Sequence, residues 1–279
     1  KERSHIKIRE GFLIVAIFWF VLSFFGAIPF LMDESLKFSL VDAIFESTSG
    51  WTTTGATVLS NIDDLNKPLL LYRQLLQWLG GIGIVVLVLA ILPILGVGGM
   101  YLYKAETSSP VKDNKLSPRI TETAKSLWGV YIVLTFLCAV LYKIAGMSYF
   151  DAIGHSFSTV SIGGFSTHDA SIGFYSSDLI KIICMVFMFL SALNFVLHFL
   201  FYKNKSLAVY TSNSEMKSFL LIIIILLLLI TIFSTGGRAQ SLENIDVMFH
   251  ILSFVTTSGF TVSNYNSWPT FIITIVFLS

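Results

Sequence analysis

The chain alternates between long apolar runs and short polar connections. A membrane-crossing helix needs roughly 20 apolar residues. Runs of that size cover 11–31, 69–95, 122–145, 179–202 and 217–235, and a sixth begins near Trp268. Each is predicted to be a helical span. The stretches 104–119 and 203–216 are charged linkers between them. The first run is too long for the apolar part of a cleavable signal and carries no small-residue cleavage site, so it is predicted to stay as a span.

Three segments between these runs are neither ordinary loops nor spans. They are Asp42 to Thr57 (DAIFESTSGWTTTGAT), Asp151 to Ser166 (DAIGHSFSTVSIGGFS) and Asp246 to Thr261 (DVMFHILSFVTTSGFT). They align without a gap. Each opens with Asp and carries a glycine 13 residues later, Gly55, Gly164 or Gly259. Two positions beyond that glycine stand Thr57, Ser166 and Thr261, and the fourth position after the Asp holds Glu46, His155 or His250. Every copy follows one apolar run and precedes another, so the repeating unit is span, short segment, span.

The first part of each segment suits a helix too short to span, and the second is small, hydroxyl-bearing and centred on the glycine. That order predicts a re-entrant loop. Irregular backbone at membrane depth survives only inside protein or beside a wet cavity, where carbonyls can replace the hydration shell of a cation. The glycine permits backbone angles closed to other residues, and the negative C-terminal end of the preceding helix favours a cation. A single copy would read more readily as a glycine turn closing an interfacial hairpin. Three copies in register favour the pore-loop reading.

Composition agrees with a membrane protein. Hydrophobic residues make up 54% and charged residues 13%, with mean hydropathy +0.78, whereas a soluble domain carries about 25% charged residues. A net charge of +1 gives no sign of a nucleic-acid partner. Cys138 and Cys184 lie in apolar runs and read as small hydrophobes, not as a disulfide framework. A cytoplasmic N-terminus would place Lys1, Arg3, Lys7, Arg9, Lys104, Lys112, Lys115, Arg119, Lys125, Lys203, Lys205 and Lys217 inside. It would leave Lys37, Lys67, Arg73, Lys143, Lys181 and Arg238 outside. That excess on one side predicts the N-terminus inside. Acidic residues lean to the outer side, where they would either concentrate cations or serve as ordinary solvated loop charges.

The segment TTTGATV, with the later run YRQLLQWLGGIGIVVLVLAILPILGVGG, closely resembles the TrkH pore subunits of bacterial Trk potassium uptake systems, a superfamily that also includes KtrB and the plant HKT transporters. PVKDNKLSPRITETAKSLW and FDAIGHSFSTVSIGGFSTHDAS match the TrkH branch in particular. The resemblance implies an all-α membrane protein of repeated helix–pore-loop–helix units around a pseudo-symmetric ion pore. Two and a half of four repeats are expected in this chain: 1–110, 111–212 and a partial third over 213–279. It implies potassium uptake through a filter of backbone carbonyls. By position these come from Thr53, Thr54, Gly55, Ile162, Gly163, Gly164, Thr257, Ser258 and Gly259, with potassium the only metal bound. It also implies a homodimer of pore subunits, a cytoplasmic nucleotide-binding regulatory subunit of the TrkA or KtrA kind, and a place in the bacterial inner membrane. Family members of this branch begin with a further helical hairpin and end with a fourth repeat, so the chain is expected to be part of a longer one.

The remaining polar residues have plainer readings. His155 and His250 lack the further ligands a metal needs and are expected to hydrogen-bond within the packing of the short helices. Glu46 is expected to do the same, with support of the filter or of its potential as the second reading. Gly80, Gly81 and Gly83 allow close helix packing. Asn194 and His198 are expected to bond between helices, and Pro93 with Gly96, Gly98 and Gly99 to end the second span. The rival functions are a non-conducting assembly subunit and a membrane-embedded enzyme. Neither an HExxH zinc motif nor a GxSxG elbow is present, so no catalytic residue is nominated. Passive conduction and coupling to protons or sodium fit the same loop chemistry.

Overall fold

The computed structural model of the chain describes residues 8–83, 120–235, 244–264 and 274. The second half of the predicted second span, with Pro93, Gly96, Gly98 and Gly99, the linker 104–119 and the run from Trp268, apart from Thr274, lie outside the described residues. All regular structure among the described residues is helical.

Helix α1 (Ile8–Gly26) is followed by α2 (Ile28–Met32), whose first turn holds Pro29. The predicted first span is thus interrupted at Ala27. Next come α3 (Leu40–Trp51), a 3₁₀ turn (Ile62–Asp64) and α4 (Lys67–Gly81). The following unit is α5 (Ile120–Ile144), α6 (Tyr149–Val160), a second 3₁₀ turn (Ser171–Phe174) and α7 (Asp178–Ala192). Then α8 (Phe195–Asn204), α9 (Ala208–Thr211), α10 (Ser214–Thr235) and α11 (Asn244–Val255) complete the described chain.

The short helices α3, α6 and α11 start two residues before the Asp that marks each repeat. In α3 the Ser39 hydroxyl accepts from the Asp42 N–H at 3.2 Å and the Asp42 carboxylate accepts from the Ser39 N–H at 3.1 Å. Each therefore satisfies a backbone donor that the helix end would leave bare. Ser148 and Asp151 repeat the first of these bonds at 3.1 Å. Asp246 takes the same helical position and accepts from Lys181 Nζ at 2.8 Å.

The predicted span 179–202 is not one helix. Helices α7 and α8 meet at 91°. Leu193 is extended, and the Asn194 side chain accepts from the Val196 N–H at 3.0 Å, which starts a new helix instead of continuing the old one. His198 bridges the bend, with one ring nitrogen 2.9 Å from the Leu190 carbonyl and the other 2.8 Å from the Tyr210 hydroxyl on α9. Of the two polar residues expected to link helices, His198 does so, whereas Asn194 serves its own backbone.

The main core joins α5, α6, α7 and α11 through Tyr142, Val160, Ile180, Met188 and Phe249, with Cys138 and Cys184 both fully buried free thiols. Gly80 and Gly81 bring α4 against the ends of the short helices. A Cβ on Gly80 would overlap the Trp51 carbonyl, and one on Gly81 would sit 2.5 Å from Ser161 Cβ.

Burial is inverted relative to a water-soluble protein. Phe20 is 79% exposed and Phe136 66%, while Glu46, Arg73, Gln74, Gln77 and His155 are all at 0%. Such a surface suits hydrocarbon, and polar groups in hydrocarbon must turn inward. Among the described residues, Lys125–Ile144 is long and apolar enough to cross a membrane.

Candidate functional site

The three loops share one backbone conformation. After each short helix the second residue, Thr53, Ile162 or Thr257, has φ of 53°, 56° or 61°, and the glycine two further on, Gly55, Gly164 or Gly259, has φ of 76°, 77° or 77°. The hydrogen bonds match as well. Thr54 N–H reaches Ser49 O at 2.9 Å, Gly163 N–H reaches Ser158 O at 2.8 Å, and Ser258 N–H reaches Ser253 O at 2.8 Å. The bonds Thr53 to Gly50, Ile162 to Thr159 and Thr257 to Phe254 complete the pair, so all three helices end in a Schellman motif. Its left-handed position usually holds glycine, but here it holds β-branched residues, each at a cost of about 1–3 kcal/mol. Repeated three times, this outlier marks the loops as a site.

The loops lie side by side. A Cβ on Gly55 would overlap the Gly163 carbonyl, and one on Gly164 would overlap the Ser258 carbonyl, so loop 2 is flanked by loops 1 and 3. Gly163 and Ser258 are buried, Thr53, Gly55, Ile162 and Gly164 half-buried, and Thr54, Thr257 and Gly259 exposed. The nine predicted positions are thus gathered into one contiguous set of loops.

Two of the aligned positions read separately in the sequence form pairs in space. Glu46 accepts from the Thr57 hydroxyl at 2.9 Å, and His155 Nε2 lies 2.9 Å from the Ser166 hydroxyl. In each case the fourth residue after the Asp holds the hydroxyl beyond the glycine of its own loop. His155 Nδ1 and His250 Nδ1 face the carbonyls of Asp151 and Asp246 at 3.0 and 2.8 Å. These contacts occupy the imidazoles in the hydrogen-bonding role expected of them.

Helix α4 supplies residues that the sequence reading did not single out. Arg73 is fully buried, its Nε 2.8 Å from Glu46 Oε1, with further bonds to Thr57 Oγ1 at 3.2 Å and Ser166 O at 3.3 Å. It also stacks on the Phe165 ring at 4.2 Å. One guanidinium therefore ties loop 1 to loop 2. Gln74 takes the Ser158 hydroxyl, and Gln77 bonds Gly163 O at 2.6 Å and the Phe165 N–H at 3.0 Å. The available signal was three polar residues at i, i+1 and i+4 in a helix otherwise apolar on that side.

Beyond the glycines a second clamp joins the same loops. His168 bonds Asp63 at 2.5 Å and faces Asp151 at 3.4 Å, with its ring stacked on Phe174 at 3.6 Å. Asp63 accepts from the Asp169 N–H at 3.2 Å, and Asp169 accepts from the Asp63 N–H at 3.3 Å. Burial alone would lower the His168 pKa, but the two carboxylates outweigh it and raise it. The His168 hydrogen bond lowers Asp63. Burial would raise Asp151, but bonds from His168, Ser148 and Thr167 bring it well below the usual carboxylate range.

A sequence model of the TrkH family, described as cation transport protein, matches residues 1–279. The chain is 50% identical over 270 residues to the Trk system potassium uptake protein TrkH of Halomonas elongata, covering 96% of this chain and 56% of that protein. It is 49% identical over 275 residues to the protein of the same name from Escherichia coli K12, covering 98% and 57%. The crystal structure of the potassium transporter TrkH from Vibrio parahaemolyticus superposes with a TM-score of 0.82 at 42% identity, over 99% of this chain and 57% of that one. The chain thus spans a little over half the length of these relatives.

Two outcomes follow for the full-length parent protein. Arg73→Met or Glu46→Gln alone leaves a buried group without its partner, and thermal unfolding in detergent should report a loss of about 3–5 kcal/mol. The double variant should lose less than the sum of the two. For the His168 clamp, a raised His168 pKa gives stability that is full below the unfolded value of 6.5 and fades as pH climbs through the folded value. Lowered Asp63 and Asp151 give stability that is full above 3.8 and fades as pH falls through their folded values. Unfolding temperature should therefore peak in mildly acidic buffer. His168→Gln should remove the decline on the alkaline side, and an unchanged slope there would exclude this clamp as its source.

Proposed function

The chain belongs to the TrkH family of cation transport proteins, and on that premise we propose that its three loops form most of a potassium filter through which the whole protein takes potassium across a membrane. The family is one of transporters and not of enzymes. The observation that carries the reading is the shared backbone of the loops, with a left-handed β-branched residue and a left-handed glycine in the same register three times over. That conformation sets carbonyls of Thr53, Thr54, Gly55, Ile162, Gly163, Gly164, Thr257, Ser258 and Gly259 within one small region, where they supply oxygen ligands for a dehydrated cation. Helices α3, α6 and α11 each end at their loop, so their negative C-terminal dipole ends add to the attraction. Potassium here is cargo.

The units are helix–pore-loop–helix repeats over 1–110, 111–212 and part of a third over 213–279. The glycines of loops 1 and 2 each meet the next loop, whereas a Cβ on Gly259 meets nothing within 4 Å among the described residues. That side is the place for a further loop of the same kind in the whole protein. The naming of the relatives as parts of a Trk system supports an assembly of several components. In this reading two pore subunits pair, and a cytoplasmic nucleotide-binding subunit controls them. Lysine and arginine bias supports a cytoplasmic N-terminus in a bacterial inner membrane.

Serine substitutions of the three glycines test the filter. At Gly55 and Gly164 a side chain would meet both a disfavoured φ and the neighbouring loop's backbone, whereas at Gly259, among the described residues, only the φ opposes it. Gly55→Ser and Gly164→Ser in the full-length parent should lower potassium preference over sodium by about tenfold or more, the equivalent of ~1.4 kcal/mol in differential binding. Gly259→Ser should act likewise, because in the whole protein the further loop proposed on that side would meet its side chain. Growth of an uptake-deficient strain at low potassium, paired with sodium and rubidium flux in vesicles, reads the effect. Unchanged ion preference in all three variants at normal protein level would remove these loops from the permeation path.

A further inference from the structure

We propose that Gln77 is a positioning residue for the second loop, its carboxamide fixing the backbone on both sides of Gly164. This inference rests on the filter reading above. Gln77 is fully buried; its Nε2 donates to Gly163 O at 2.6 Å and its Oε1 accepts from the Phe165 N–H at 3.0 Å. The two bonds set the orientation of the amide, since a carbonyl needs a donor and an N–H needs an acceptor. One rigid group thus brackets the left-handed glycine.

Two independent features single out loop 2. The first is Gly163 itself. The equivalent residues in loops 1 and 3 are Thr54 and Ser258, so the position tolerates a side chain. Gly163 is not among the residues of positive φ, so the backbone does not require glycine there. Space does: a Cβ would overlap Gln77 Cδ and lie 2.5 and 2.8 Å from its Oε1 and Nε2. The amide of Gln77 therefore stands where the other loops carry a hydroxyl side chain.

The second feature is the missing internal brace. Ser49 donates to the Ala56 carbonyl at 2.5 Å in loop 1, and Ser253 donates to the Phe260 carbonyl at 2.7 Å in loop 3. Their counterpart Ser158 turns away to Gln74 on α4. At this one position loops 1 and 3 are braced by their own helices, whereas loop 2 is bonded from α4. The geometry makes Gln77 the substitute for that brace, and it makes Gln77 and Gly163 a matched pair.

The test uses the full-length parent in vesicles, with potassium, rubidium and sodium flux and membrane protein level measured for each variant. Gln77→Glu keeps the shape but replaces the donor nitrogen by an acceptor oxygen, and Gln77→Met keeps the length without either bond. Each should reduce potassium-over-sodium preference by about tenfold, ~1.4 kcal/mol in differential binding. Gly163→Ser should be impaired by collision with the amide. Gln77→Ala with Gly163→Ser should recover part of that loss, because loop 2 then reads Ser-Gly-Phe as loop 3 does. Lowered expression or rate with an unchanged ion preference in both Gln77→Glu and Gln77→Met would reduce Gln77 to packing and overturn the proposal. So would purely additive effects of Gln77→Ala and Gly163→Ser. Gly164→Ser serves as the control. If it alters selectivity while the Gln77 variants do not, only this inference fails; if neither it nor Gly55→Ser nor Gly259→Ser does, the filter reading fails with it.

Discussion

Backbone that is neither helix nor sheet carries N–H and C=O groups that have no automatic partner, and inside a membrane water does not supply one. The described part of this molecule is organised around that constraint. Three loops of such backbone lie together, and each begins by satisfying its own helix end through a Schellman motif. The price is a β-branched residue in the left-handed region, which persists only because surrounding contacts over-determine it. In the proposed reading, the carbonyls around and beyond that point are what a cation uses.

For loops 1 and 2 many of those contacts come from one helix. The inner face of α4 presents Arg73, Gln74 and Gln77, all fully buried, to the backs of loops 1 and 2. A buried guanidinium is tolerable because Glu46, Thr57, Ser166 and the Phe165 ring all receive it. Gly80 and Gly81, one turn on, remove the side chains that would hold α4 away from Trp51 and Ser161. Close packing and polar support are therefore two consequences of the same helix face. The His168 clamp adds a third link between the same loops, nearer their outer ends in the proposed orientation.

The three loops share a conformation without sharing their supports. Hydroxyl-to-carbonyl braces serve loops 1 and 3, and α4 serves loop 2. Glu46 and His155 reach the same hydroxyl position by different chemistry, one a carboxylate paired with Arg73 and the other an imidazole. Equivalent backbone is thus held by non-equivalent side chains, as expected when internal repeats keep a geometry and exchange the residues that maintain it.

The repeats, their glycines and the break from helix to loop were legible in the sequence, because period and residue type are local properties. Gly55, Gly164 and Gly259 announce themselves by a backbone angle only glycine accepts freely. The left-handed Thr53, Ile162 and Thr257 did not, since β-branched residues argue for extended backbone when read alone. The bend at Asn194 was also hidden, for an apolar run looks continuous whether or not one asparagine caps a new helix within it. Which residue meets which depended on distance in space. The pairing of Glu46 with Arg73, of His168 with Asp63, and of Gln77 with Gly163 joins positions 27, 105 and 86 residues apart. No periodicity carries that information. Only the packing of α4 against the loops decides that Gly163 is a glycine for want of room, whereas Gly164, its neighbour, is one for want of an allowed angle.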